Sequence, residues 1–154
     1  MRKNRLWYYT EKHPIQYGNE YAAGIDLPFY DPELPETITV KPGQRIMLKT
    51  GVHMEIPEGH VGLMDSRSST SKLVVDLLCR TIDEDFRGNI RTVLVNVGEQ
   101  PVELTQGNYY FQMVIVAVPK FELVTVEYPE DLSETLRGTQ GFGSTGNTNV
   151  GGNI

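Results

Sequence analysis

The amino-acid sequence predicts an all-β domain, and three observations carry that prediction. The 154 residues include 15 glycines and nine prolines, above the roughly 12 % of average usage, so long helices have little room. Short apolar runs alternate with turn signals at fairly even spacing, the pattern of a sandwich or barrel. No window of about a dozen residues carries the i, i+3, i+4 apolar stripe of an amphipathic helix. At 17.4 kDa the chain is long enough for one domain and short for two.

The elements follow in order. Residues 45–49 and 52–56 read as strands, with KPGQ before them and PEG after. Residues 60–64 come next, then 73–78. Residues 90–97 have a period of two, with Val93, Val95 and Val97 on one face and Thr92, Leu94 and Asn96 on the other. Residues 102–104 and 109–118 read as strands separated by TQGN, a hairpin turn. Residues 123–126 are expected as the last core strand, and 131–136 suits one or two helical turns. No internal repeat is present. A β domain over residues 1–136 is therefore expected, followed by a glycine-rich tail, 137–154, reading RGTQGFGSTGNTNVGGNI. Such a segment cannot offset its ordering entropy by burial, so it is expected to be flexible in the free protein.

Charge and cysteine content exclude several classes. Lys and Arg total 14 against 20 Asp and Glu, a net charge of -6, which argues against non-specific binding to a nucleic-acid backbone. One cysteine, Cys79, and three scattered histidines exclude an internal disulfide framework and a Cys/His zinc site. The first residues, MRKNRLWYYTEK, carry no apolar core of a secretory signal. The longest strongly apolar stretch, 113–118, falls far short of the roughly 20 residues of a membrane span. A soluble, cytoplasmic domain is expected, with neither nucleic acid nor membrane as partner.

Three segments carry candidate chemistry. Arg67-Ser68-Ser69-Thr70 ends a strand in a loop, where a guanidinium, hydroxyls and free backbone N–H groups suit a polyphosphate; a solvated turn is the plainer reading. No G-x-x-x-x-G-K-[ST] exists, which excludes a P-loop. Asp83-Glu84-Asp85, after apolar Ile82 and before Phe86-Arg87-Gly88-Asn89, reads either as a hairpin or as a carboxylate placed to deprotonate a water. Asp26 is a lone acid in Ala22-Ala23-Gly24-Ile25-Asp26-Leu27. The tail adds one Arg, one Phe and a Ser-Thr pair among glycines, either a solvated terminus or a flap that closes over a nucleotide.

In order along the chain, AAGIDL (22–27), SRSS (66–69), TIDEDFRGNI (81–90), GNYYFQMVI (107–115) and RGTQGFGSTG (137–146) resemble the five motifs of the trimeric dUTP diphosphatases. The resemblance implies a jelly-roll-like, β-clip subunit assembled as a homotrimer, with each active site built from three subunits. It implies hydrolysis of dUTP to dUMP and pyrophosphate, limiting uracil in DNA and supplying dUMP, in the cytoplasm of the cell or, for a viral protein, of its host. Asp83 matches the water-activating aspartate, and Phe86 the ring that packs on deoxyribose and excludes a 2′-hydroxyl. Arg67, Ser68 and Ser69 match the phosphate-binding loop, and Gln112 the fourth motif's glutamine. Main-chain groups of the hairpin through Leu77, Thr81 and Ile82 are implied to read uracil. Asp26 matches an aspartate that holds a water of a Mg²⁺ shell rather than the ion itself, in keeping with that ion's preference for retained waters. In the tail, Arg137 matches a γ-phosphate arginine, Phe142 a ring stacking on uracil, and Gly143, Ser144 and Thr145 the phosphate contacts.

The chain departs from the family pattern in places. Leu77-Leu78-Cys79-Arg80 occupies the base-reading hairpin, which ordinarily has an Asn or glycines. The loop between Arg67 and Asp83 is two or three residues short, Tyr109 stands for an Arg, Phe86 for a Tyr and Gln140 for a Gly. Two other functions stay open on these grounds: the same hydrolysis of another pyrimidine deoxynucleoside triphosphate, and a nucleotide-binding regulator of low turnover. A dCTP deaminase needs a carboxylate on the strand after the third motif, and Ile90-Arg91-Thr92-Val93-Leu94-Val95-Asn96 has none.

Overall fold

The computed structural model describes residues 5–139. Among these, the strands are β1 (Trp7–Thr10), β2 (Gln16–Tyr17), β3 (Ile25–Pro28), β4 (Thr37–Val40), β5 (Arg45–Lys49), β6 (Val52–Glu55), β7 (His60–Ser66), β8 (Val75–Leu77), β9 (Thr81–Ile82), β10 (Arg91–Asn96), β11 (Val102–Thr105) and β12 (Tyr109–Ala117). Two 3₁₀ turns, Ser68–Leu73 and Pro129–Asp131, supply the remaining regular structure. The all-β expectation holds. The chain divides into two compact units, Met1–Lys120 and Phe121–Ile154, and the boundary expected after residue 136 lies inside the second.

Every strand pairing in the first unit is antiparallel. The largest sheet runs β2-β3-β12-β7-β9; β5-β10-β8 forms a second, and β1-β6 and β11-β4 are two-stranded. Alternation along the strands feeds one core in which Leu27, Phe29, Leu48, Val52, Leu94, Leu104, Phe111 and Met113 are fully buried. Phe29 and Phe111 are the largest of these, and truncating such a ring costs about 3–5 kcal/mol.

β10 shows how burial chooses between its two faces. Thr92, Leu94 and Asn96 face the core, whereas Val93 and Val95 are half-buried and Val97 is exposed. The polar pair is tolerated because each group is satisfied: Thr92 Oγ1 donates to the Cys79 carbonyl at 2.8 Å, and Asn96 Nδ2 donates to the carbonyls of Val40 and Gln100. The valine face, with Met47 opposite Val93, stays partly open.

Two expectations fail. Residues 123–126 form no strand; Leu123 and Val124 are 94 % and 77 % exposed. The apolar pattern was real, but a strand needs a neighbour's edge, and no described segment pairs with this one. The helical turns expected over 131–136 reduce to Pro129–Asp131, capped where the Tyr128 amide donates to the Asp131 carboxylate at 3.1 Å. Residues 73–78 are also shortened, because the chain first coils into the Ser68–Leu73 turn.

That turn ends at Val74, whose φ of 54° and ψ of 51° are left-handed. For a β-branched residue this is a genuine outlier, costing roughly 1–2 kcal/mol. The Val74 N–H donates to the Ser71 carbonyl and its carbonyl accepts from Val97, which holds the strained backbone in place. Its side chain is 51 % exposed, so little burial is at stake. Val74→Gly is therefore expected to raise stability by about 0.5–1 kcal/mol, after the glycine's added unfolded-state entropy. Urea unfolding checks this; a destabilised variant would show that the Val74 side chain matters more than the strain.

Candidate active site

The phosphate-type residues gather where β3, β12 and β7 run side by side. Register places Gln112 opposite both Asp26 and Asp65. Asp26 is almost completely buried, and its Oδ1 pairs with Arg67 Nε at 2.9 Å. Arg67 is held further by an Nη1 bond to the Tyr109 carbonyl at 3.2 Å and by its own amide to the Tyr110 carbonyl. Gln112 Nε2 donates to the Ser66 carbonyl at 3.2 Å. Gly24 makes room for this glutamine, since a Cβ there would lie 2.4 Å from Gln112 Oε1. Ser68 and Ser69 open the 3₁₀ turn directly after Arg67, and Thr70 Oγ1 ties that turn to the Tyr110 carbonyl at 3.0 Å.

Asp26 Oδ2 is buried and has no hydrogen-bond partner among the described residues. A buried carboxylate oxygen requires a donor, and a bound water meets that need. No group of three or more His, Cys, Asp or Glu side chains among the described residues can cage a metal. The unpartnered Asp26 oxygen fits a hydrated cation held through a water, a mode that suits Mg²⁺.

The second cluster lines a small cavity of ≈ 160 Å³ formed by Cys79, Thr81, Ile82, Asp83, Phe86 and Arg91. Asp83 and Phe86 share one turn, closed by the Phe86 amide donating to the Asp83 carbonyl at 3.2 Å. The acid therefore stands at the edge of a ring-lined recess. A larger open groove of ≈ 770 Å³, lined by segments 72–74 and 98–103 with Thr39, holds none of the candidate site residues.

β7 separates the two clusters. Gly62 and Leu63 pair with Ile82 and Thr81, so Asp83 lies level with residue 61, six positions from Arg67. At about 3.3 Å per residue this is roughly 20 Å, too far for one chain to set Arg67 and Asp83 on the same phosphate group.

Other expected residues are placed as follows. Leu77 is a core side chain opposite Leu94, leaving only its main chain to meet a ligand, and its carbonyl already accepts from Arg80 Nε at 2.8 Å. Ile82 is mostly core but reaches the cavity wall. Tyr109 sends its hydroxyl to the Pro14 carbonyl at 2.9 Å. Arg137 belongs to the second unit, and Phe142, Gly143, Ser144 and Thr145 lie outside the described residues.

Sequence reading passed over Glu84 and Lys120. Glu84 Oε2 accepts from the Gly59 amide at 2.5 Å and Oε1 from Lys120 Nζ at 2.6 Å, pinning the Asp83–Phe86 turn to the loop before β7. The only signal was an acidic residue beside Asp83; the lysine is 36 positions away. The lysine hydrogen bond, then the Gly59 amide, hold the Glu84 carboxyl below its ordinary value, and Glu84 raises that of Lys120. A lowered carboxyl contributes stability above its unfolded value, and this is lost as pH falls through the folded one. Lys120→Met is expected to move the Glu84 titration, followed by carboxyl-carbon NMR, upward. An unmoved titration would remove Lys120 as the cause.

The geometry agrees with a wider likeness. A family model described as dUTPase matches residues 10–146. The chain is 40 % identical over 134 residues to the deoxyuridine 5′-triphosphate nucleotidohydrolase of Anaeromyxobacter sp., covering 85 % of this chain and 86 % of that protein. It is 38 % identical over 130 residues to the enzyme of the same name from Corynebacterium glutamicum, covering 82 % of each. Among solved structures, the Staphylococcus bacteriophage 80alpha dUTPase with dUpNHpp superposes with a TM-score of 0.81 at 26 % identity, over 93 % of this chain and 99 % of that one. A mutant dUTPase from phage phi11 of S. aureus, studied for coordination of a structural Mg(II) ion, shares the fold at a TM-score of 0.71 and 24 % identity, over 82 % of this chain and 99 % of that one. With the five motifs in order, an all-β subunit and relatives spanning more than four fifths of its length, the chain belongs to the dUTPase family.

Proposed function

We propose that this protein hydrolyses dUTP to dUMP and pyrophosphate. The observation that carries the reading is the cavity that sets the Asp83 carboxylate beside the Phe86 ring, together with the anchored Arg67 loop. A nucleoside packs its sugar on Phe86, and Asp83 takes a proton from water as the oxygen attacks the α-phosphorus. The bond from that phosphorus to its bridging oxygen breaks, and pyrophosphate leaves. Arg67, Ser68 and Ser69 bind phosphate oxygens, with the guanidinium aimed by Asp26 and by the Tyr109 carbonyl. Asp26 would hold Mg²⁺ through a water, and the ion would supply charge neutralisation to the triphosphate.

The homotrimer belongs to the same proposal. The roughly 20 Å along β7 between Arg67 and Asp83 supports a site that draws its phosphate loop from one copy and its acid from another. Half-open apolar surface on Met47, Val93, Val95 and Val97, and the exposed Phe121, Leu123 and Val124, supports burial against further copies. The segment 137–154 acts as an arm whose Arg137, Phe142, Gly143, Ser144 and Thr145 complete the site.

A pyrophosphate-release screen over dUTP, dCTP, dTTP and UTP with Mg²⁺ tests the reading. dUTP is expected to lead; preference for another pyrimidine moves the substrate, and no turnover at all leaves a regulator. Asp83→Asn should bind dUTP and lose roughly 10²–10⁴-fold in turnover, and a variant within threefold of wild type would remove Asp83 as the base. UTP should be at least about 10²-fold poorer than dUTP, since a 2′-hydroxyl meets the Phe86 ring, and Phe86→Ala should narrow that gap. Light scattering should give three copies, and truncation after Leu136 should abolish most activity at little cost in stability; a monomer, or a fully active truncation, contradicts the assembly or the arm.

A further inference from the structure

Arg91 lines the same cavity as Asp83 and Phe86, and neither the motif match nor the proposed chemistry gives it a task. Its position follows from β10. Thr92, the next residue, turns into the core and bonds the Cys79 carbonyl at 2.8 Å, so strand alternation sends Arg91 outward beside segment 79–81. Its cross-strand partner on β5 is Lys49, whose ammonium is committed to Asp31 at 3.2 Å and to Glu33.

The other cations around the site are engaged. Arg67 holds Asp26, Arg80 bridges Asp65 and Asp76, Lys120 holds Glu84, and Arg87 donates to the carbonyls of Glu84 and Phe86. Arg91 forms no ion pair among the described residues, although Asp83 lines the same cavity. The remaining walls, Ile82, Phe86 and Cys79, suit a flat ring rather than a phosphate chain. A guanidinium at the rim of such a recess meets the polar edge of that ring.

Resting on the assignment of this cavity to the nucleoside, we propose that Arg91 is a specificity-determining residue that reads a ring carbonyl of the pyrimidine. Guanidinium carries donors only. It bonds a carbonyl oxygen and finds no acceptor in an exocyclic amine, so a ring bearing oxygen is favoured over one bearing an amino group at that position. Excluding water from the recess sharpens the choice, because a donor left facing another donor stays unsatisfied. The hairpin residues Leu77, Leu78 and Cys79 offer no side-chain amide for this purpose, and β10 supplies the missing donor from the opposite wall.

The test compares the full-length wild type with Arg91→Lys, Arg91→Gln and Arg91→Met. Steady-state kinetics with dUTP and dCTP are paired with calorimetric binding of deoxyuridine and deoxycytidine, which carry no phosphate. Arg91 is exposed, so the variants should melt near wild type. Arg91→Met should lower the dUTP-to-dCTP ratio of kcat/KM at least about tenfold, through KM for dUTP. Arg91→Lys, still donor-only, should keep most of the preference; Arg91→Gln, with donor and acceptor, should fall between. Deoxyuridine binding should weaken in parallel. An unchanged ratio in Arg91→Met, or equal losses on both nucleotides with deoxyuridine binding intact, overturns the proposal and makes Arg91 a phosphate contact or a bystander. If the wild type releases no pyrophosphate from any nucleotide, the hydrolase reading fails instead, and the two nucleosides' relative binding still decides the role of Arg91.

Discussion

Seven consecutive residues of β7 pair with β12, from Ser66 opposite Phe111 to His60 opposite Ala117, and the positions of Asp26, Arg67, Gln112, Asp83 and Phe86 follow from that ladder and its neighbours. At one end the ladder delivers Arg67 beside Asp26 and Gln112. At the other, Gly62 and Leu63 hold β9, which delivers Asp83 and Phe86. A slip of one residue would exchange the faces, sending Met64 and Met113 out of the core and Asp65 and Gln112 into it. The hydrophobic cost of that exchange is what keeps the chemistry in place. Because β7 is paired on both sides and the clusters lie near its opposite ends, the ladder holds them apart within one chain.

Charge is handled locally on this acidic molecule. Asp26 is buried in a strand, where an ionised carboxylate is expensive unless paired, and Arg67 supplies one charged bond at 2.9 Å. The same pair fixes the Arg67 guanidinium, so one interaction neutralises the buried acid and sets the cation's direction. Glu84 repeats the arrangement at the other cluster, taking the Gly59 amide and the Lys120 ammonium. In both places a carboxylate held by its own partners fixes a residue beside it that the motif match marks out, Arg67 beside Asp26 and Asp83 beside Glu84.

Legibility in the sequence tracked the range of the interactions. Strands read at 45–49, 60–64 and 109–118 are present within one or two residues of those bounds because alternation is a local property, as is the turn in TQGN, where Gly107 adopts a φ of 84°. Arg67, Asp83 and Phe86 were matched to family positions through motif order, and the structure puts Asp83 and Phe86 on one cavity. The orientation of β10 was not, since Val93, Val95 and Val97 are the more apolar set by composition and yet Thr92, Leu94 and Asn96 are buried; carbonyls from Cys79, Val40 and Gln100, distant in sequence, satisfy the polar members. The strand expected at 123–126 failed for the converse reason, since pattern reports a capacity to pair and is silent about the partner.

By itself the sequence determined the all-β class, the acidic balance, the order of motifs and the residues that match them, because each depends on residue type and near-neighbour spacing. Only the tertiary structure decided that Asp26 is buried with one oxygen paired and one unpaired, that Leu77 belongs to the core, and that Val74 is held in a left-handed conformation between Ser71 and Val97. It alone brought Arg91 to the wall of the Asp83 cavity. Apart from the local Ser71–Val74 turn, these are contacts between segments far apart in the chain, fixed by strand register and by competition for burial, and no local pattern encodes them.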